Sequence, residues 1–233
     1  MFQKVTRDNI PSIDYHMHTV WTDGQNTSIE MYNQSIKEGL TSILFSEHAR
    51  KTSIDWFSKF ANEIRSLPPS PCKALVGVET KIIDFNGELD SNDKIIAECD
   101  LVMASVHRFP GEKNMDRMCS NIDKKEALKI ELNLSLGVLE NEQVDILGHP
   151  FGMSIRRFDI YPTEDDFIEI IKKAAKTGTA IEINSHYHNN LWEIIDWCNE
   201  YGALISLGSN AHSIDEVGNI NIALKSGSEY ESG

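Results

Sequence analysis

The sequence predicts an α/β fold in which parallel strands alternate with crossover helices, and three observations carry that expectation. Seven short apolar runs recur along the chain, longer stretches with helical spacing separate them, and no low-complexity insert interrupts the alternation. With 233 residues, 40% of them hydrophobic, the chain can bury one sizeable core, so a single domain over residues 1–233 is expected. A closed barrel and a doubly wound sheet both satisfy this pattern.

The β-leaning runs are Ile13–Tyr15, Ser42–Phe45, Ala74–Val78, Leu101–Ala104, Val144–Leu147, Ala180–Ile183 and Leu204–Leu207. Helical spacing marks Ser28–Glu38, Asp55–Leu67, Lys124–Leu139, Glu164–Lys176 and Leu191–Glu200, with Ser, Thr or Asp near several starts. The SLPPSPC segment at Ser66–Cys72 reads as a rigid connector, because strand-like sequence resumes directly after it. Lys225–Gly233 is small, polar and acidic, and fraying is expected there.

A formal charge of −14 repels nucleic-acid backbones and anionic membranes at long range, so a phosphate-bearing substrate has to be attracted locally. Metal cations supply such an attraction. Cys72, Cys99, Cys119 and Cys198 show no CxxC pairing, which argues against a zinc ribbon and leaves reduced thiols. There is no signal-like apolar run, no stretch of the ~18 apolar residues of a membrane span, no GxGxxG and no GxxxxGK. The expected location is cytoplasmic.

Six of the eight histidines fall at or just after the C-terminal end of an expected strand: His16 and His18, then His48, His107, His149 and His212. In parallel α/β folds the working face lies at those strand ends, so the six imidazoles converge on one surface. Asp23, Glu47 and Glu79 join them, and a set of His and Asp/Glu without Cys suits Zn, Mn or Fe. A lone strand-end histidine is more often a hydrogen-bonded structural residue; six together reverse that balance. His16 and His18, two apart on a strand, point to the same side. Glu79 ends the run LVGVE, where a buried carboxylate needs a cationic partner.

These residues resemble the PHP family, the polymerase and histidinol phosphatase superfamily. The matching blocks are DYHMHT at Asp14–Thr19, TDG at Thr22–Gly24, FSEH at Phe45–His48, GVE at Gly77–Glu79, SVH at Ser105–His107, GHP at Gly148–Pro150, EIN at Glu182–Asn184 and GSNAH at Gly208–His212. The resemblance implies a distorted seven-stranded (β/α)7 barrel with two or three divalent cations (Zn, Mn or Fe). His16, His18, Glu79 and Asn210 would hold one metal, and Glu79, His107 and His149 a second. Asp23, His48 and His212 match positions for a third. Asn210 stands where the family usually has Asp, and Glu47 is a candidate supporting group beside His48.

The implied reaction is phosphate-ester hydrolysis by a metal-activated hydroxide, with Glu79, His107 and His149 at the catalytic metals. Ser46 and Ser105 read as strand-end residues, not triad nucleophiles. The expected partner is a small phosphorylated metabolite, with neither nucleic acid nor membrane, and histidinol-phosphatase-like members are the nearest in look. A phosphodiesterase or exonuclease, and a catalytically weakened metal-binding module, are the alternatives. Arg50, Arg108, Arg156 and Arg157 are candidate phosphate clamps, with Arg156 or Arg157 favoured, since a lone loop arginine such as Arg50 or Arg108 is more often solvated. His186 and His188 are candidates to contact substrate or protonate the leaving group, or else an exposed loop pair. Trp192 and Trp197 read as packing residues on a helix.

Overall fold

A computed structural model of the protein describes residues 2–110 and 122–230. Cys119 and the final three residues lie outside the described residues. In chain order the elements are β1 (Ile13–Met17), α1 (Ser28–Lys37), β2 (Ser42–His48), α2 (Ile54–Arg65), β3 (Lys73–Lys81), α3 (Asp93–Ile96) and β4 (Leu101–Ser105). They continue with α4 (Lys124–Val138), β5 (Ile146–Leu147), α5 (Gly152–Phe158), α6 (Glu164–Thr177), β6 (Ala180–Asn184), α7 (Leu191–Tyr201), β7 (Ile205–Gly208) and α8 (Asn219–Tyr230).

All six neighbouring strand pairs are parallel, and their spatial order is β1 to β7 without a crossover. A doubly wound sheet reverses its order at a switch point; this sheet does not. Instead its ends meet. His18 N donates to Ala211 O at 2.8 Å and Ala211 N donates to His16 O at 3.1 Å, a short parallel seam just beyond β7. Asp14 reinforces it, accepting from Ser209 N at 2.9 Å and Gly218 N at 3.0 Å. The result is a distorted (β/α)7 barrel.

Because helices cover the outside and side chains fill the inside, the strands are buried on both faces, and so they read as continuous apolar runs. Met17, Phe45, Val78, Met103 and Leu147 are all fully buried. Thr27 with Glu30 and Thr163 with Asp166 form capping boxes that start α1 and α6. Tyr32 on α1 donates its hydroxyl to Pro68 O at 2.9 Å and pins the Ser66–Cys72 connector.

Three differences from expectation have physical reasons. β5 spans only two residues, because Val102 N gives its hydrogen bond to the Asp145 carboxylate at 2.8 Å instead of to a strand carbonyl, although Asp145 N still donates to Val102 O at 2.9 Å and its carbonyl accepts from Ala180 N at 2.8 Å. α5 lies outside the expected helical stretches; it follows His149 and Phe151, both at positive φ, an entry that carries no N-cap signal in sequence. The chain from Lys225 to Tyr230 is helical, not frayed. Buried Ile220 and Leu224 anchor α8, and Trp192 Nε1 donates to Leu224 O at 3.2 Å.

Candidate metal centre

Glu79 is the centre of the site. β3 places it among fully buried neighbours, and its two carboxylate oxygens divide five imidazoles between them. Oε1 lies 2.8 Å from His149 Nε2 and 3.0 Å from His107 Nε2. Oε2 lies 3.1 Å from His48 Nδ1, 3.3 Å from His16 Nε2 and 3.5 Å from His18 Nε2. A bulge in β1 between Asp14 and Met17 lets His16 and His18 aim at one point, with their Nε2 atoms 3.1 Å apart.

A second gathering adjoins the first. Asp23, on the loop after β1, lies 3.4 Å from His48 Nε2 and 3.5 Å from His212 Nε2. Ligating atoms of His18, Asp23, His48 and His212 all lie within 4.8 Å of one another, as do those of His16, His18 and Glu79, and of His48, Glu79 and His107. His212 Nδ1 donates to Asn210 O at 2.9 Å, which turns Nε2 toward Asp23. Asn210 itself adopts φ 54° on the cavity wall.

Burial would raise the Glu79 carboxyl, but the charges of His107, His16 and His48 hold it well below the ordinary range. Burial would lower His16, yet Glu182 and Glu79 lift it well above. For His48 burial is likewise outweighed, by Glu79 and Asp23. His212 is raised by its hydrogen bond to Asp23. His18 is pushed well below by burial and by its neighbours His48 and His16, and burial lowers His107. His18 Nδ1 and His149 Nδ1 are buried without a hydrogen-bond partner among the described residues. Imidazole and carboxylate donors crowded at one point fit divalent cations.

Three carboxylates support the cluster, and two of them escaped sequence reasoning. Glu182 accepts from His16 Nδ1 at 2.7 Å and from the His149 backbone N at 2.5 Å. It thereby directs His16 Nε2 at Glu79, as outer carboxylates do for metal-binding imidazoles. Gly208 makes room for it: a Cβ there would collide with Glu182 Oε1 and His16 Cβ. Glu131 on α4 holds the start of α5 through Met153 N at 3.0 Å and Ser154 N at 2.6 Å. Glu47, expected as a supporting group beside His48, turns its carboxylate to Thr19 N at 2.8 Å, Thr19 Oγ1 at 2.6 Å and Thr22 Oγ1. It thus ties the Asp23 loop to β2, and burial pushes its carboxyl up to about 7.

The cluster floors a cavity of about 570 Å³. Arg50, Arg108, Arg156 and Arg157 all line it. So do two residues not anticipated, Lys81 and Tyr187. The Tyr187 ring lies 4.4 Å from that of His149, with the Arg156 guanidinium 5.8 Å above its centroid. Lys81, two residues after Glu79, shares its side of the strand. His188 is a correction to the sequence expectation: it is buried, Nδ1 accepting from Asn184 N at 3.2 Å and Nε2 lying 3.0 Å from Pro150 O. With both ring nitrogens engaged by backbone it is no part of the wall. His186 is exposed beside Tyr187 and does not line the cavity either. Ser46 Oγ is bonded to Met17 N, and Trp192 is packed against α8.

The chain belongs to the PHP domain family, which matches residues 14–186. It is 30% identical over 212 residues to the DNA polymerase/3′-5′ exonuclease PolX of Bacillus subtilis, covering 87% of this chain and 34% of that protein. It is 29% identical over 226 residues to a "Probable phosphatase" of Thermoanaerobacter sp. (strain X514), covering 91% of this chain and 84% of that one. Thus it spans about a third of the first relative and most of the second. Among solved structures, a histidinol phosphate phosphatase from Lactococcus lactis, complexed with zinc, L-histidinol and phosphate, shares the fold. The TM-score is 0.60 and the identity 18%, over 93% of each chain.

Proposed function

We propose that the protein is a metal-dependent phosphoesterase that hydrolyses the phosphate monoester of a small molecule. The observation that carries this reading is the division of five imidazoles between the two oxygens of one buried carboxylate, the arrangement a bridging ligand needs. His16, His18, Glu79 and Asn210 would hold one divalent cation; Glu79, His107 and His149 a second; Asp23, His48 and His212 a third. Zn, Mn and Fe all suit these donors. Cations there would supply Lewis-acid charge to the phosphoryl oxygens and lower the pKa of water to ~7.

The chain's own groups do the rest. Glu182 fixes the His16 ring and, through the His149 backbone, the loop after β5. Arg156 lies over Tyr187, which lies beside His149, and would take a phosphoryl oxygen. The Tyr187 phenol, raised by burial, stays protonated at neutral pH and forms an uncharged wall that limits water. The similarity to a "Probable phosphatase" over most of both chains supports a phosphatase, whereas the PolX similarity favours an exonuclease as the second reading.

The test is a panel of phosphomonoesters, a phosphodiester and single-stranded DNA, offered to protein loaded with Zn or Mn, with Glu79→Gln as control. Monoester hydrolysis that falls at least ~10²-fold in a folded Glu79→Gln variant is expected. DNA cleaved faster than every monoester would select the second reading. Less than one equivalent of bound metal would reject both.

A further inference from the structure

The cavity wall is electrostatically one-sided. Its cations leave four consecutive strands or the loops after them: Arg50 after β2, Lys81 on β3, Arg108 after β4, and Arg156 and Arg157 after β5. The acids on the same wall are all engaged. Asp23 sits between His48 and His212, Glu79 is ringed by imidazoles, and Asp90 pairs with Lys81 at 3.6 Å. By contrast Arg50, Arg108 and Arg156 have no carboxylate partner among the described residues.

One phosphoryl group does not account for this surplus. A phosphomonoester carries about two negative charges near pH 7, and cations held by the histidine cluster would already match them. Unpaired guanidiniums beyond that match attract a further oxyanion and repel an ammonium. Position divides the work. Arg156 is tethered to Tyr187, next to His149, and therefore serves the phosphoryl end. Arg50 and Arg108 leave the loops on either side of β3, and the His48 and His107 rings that precede them are 5.2 Å apart.

We infer that the leaving group carries a second anionic group, a carboxylate or another phosphate, read by Arg50 and Arg108, and that amino-alcohol phosphates are disfavoured. This rests on the phosphomonoesterase reading above and narrows its substrate class.

Two series of esters test it on Zn-loaded and Mn-loaded protein, each running from ammonium through neutral to anionic. They are phosphoethanolamine, glycerol 3-phosphate and 3-phosphoglycerate, and glucosamine 6-phosphate, fructose 6-phosphate and fructose 1,6-bisphosphate. In at least one series kcat/KM should be about 10-fold higher for the anionic than for the neutral ester, the scale of one charge-assisted contact of ~1.4 kcal/mol. Arg50→Gln with Arg108→Gln should bring that ratio below about 3-fold, and single variants should fall between. A neutral or ammonium ester used as well as the anionic one in both series overturns the inference, as does a ratio unmoved in the double variant. If no ester at all is hydrolysed, the phosphoesterase reading fails instead. Calorimetric binding of fructose 1,6-bisphosphate against fructose 6-phosphate, wild type against double variant, then still decides the role of the arginines.

Discussion

Glu131, from the middle of α4, accepts hydrogen bonds from both the backbone N–H and the hydroxyl of Ser154, each at 2.6 Å. Its other oxygen takes Met153 N, so one buried carboxylate closes the start of the short helix that carries Arg156 and Arg157. Glu131→Leu strands three donors and should lose roughly 2–4 kcal/mol of stability. KM should rise more than kcat falls, because the arginines lose their footing and the cluster does not. Glu131→Gln, which keeps an acceptor, should be milder. Urea denaturation and steady-state kinetics measure both, and a stable Glu131→Leu protein with unchanged KM would contradict the linkage.

Glu182 should behave as a support for metal affinity. Glu182→Gln weakens the partner of His16 Nδ1 and should lower divalent-metal affinity by ~10–100-fold. Gly208→Ala should reproduce that loss by steric displacement of the same carboxylate. Metal titration of the two variants reads the effect. Equal affinity in wild type and Glu182→Gln would remove Glu182 from the site.

The chelated protein should lose stability as pH rises above 7. His16, His48 and His212 are held above the ordinary 6.5. Their contribution is therefore complete below 6.5 and disappears as pH climbs through the raised values. Glu47 and Glu131, raised to about 7 by burial, act in the same direction, their contribution fading between 4.5 and 7. The carboxylates held low, Glu79, Glu182 and Asp23, and the rings held low, His18 and His107, act in the opposite sense only on acidification. With saturating Zn the trend should invert between pH 6 and 8, since deprotonated imidazoles bind better. Melting curves with and without chelator test this; parallel pH profiles would contradict it.

Asn210→Asp should strengthen binding of one metal equivalent. Asn offers a neutral carbonyl oxygen where Asp offers a full charge of similar reach. The φ of 54° at this position is tolerated by both residues, so the exchange tests charge without backbone strain. The metal concentration for half-maximal activity should fall by ~10-fold or more. Identical titrations would show that Asn210 is not a ligand.

The strands and the histidines were legible because their signals are local. A strand buried on both faces is a continuous apolar run, and each histidine stands beside its strand end. Glu182 was opaque because its meaning lies in His16, 166 residues earlier in the chain. His188 misled for a related reason: its alternation with His186 suggested an exposed pair, while Asn184 and Pro150 draw it inward. Fraying was expected from the polar Lys225–Gly233 tail, but through Tyr230 the chain continues a helix whose anchors, Ile220, Leu224 and the contact with Trp192, lie outside that stretch. The arginines near Glu79 could be named from sequence, but not their shared arc, which depends on which strands are neighbours.

The seam that closes the barrel joins His16 and His18 to Ala211, far along the chain from them. During synthesis the first half of the protein therefore emerges with its histidines but without the pocket that gives them a common focus. Neither Glu182 nor His212 has yet been translated, so such a fragment lacks the complete set of candidate ligands and their support. Any cation that needs the whole cluster would have to wait for that stretch, and a chain cut short before Ala211 would carry most of the motif yet lack the seam that assembles it.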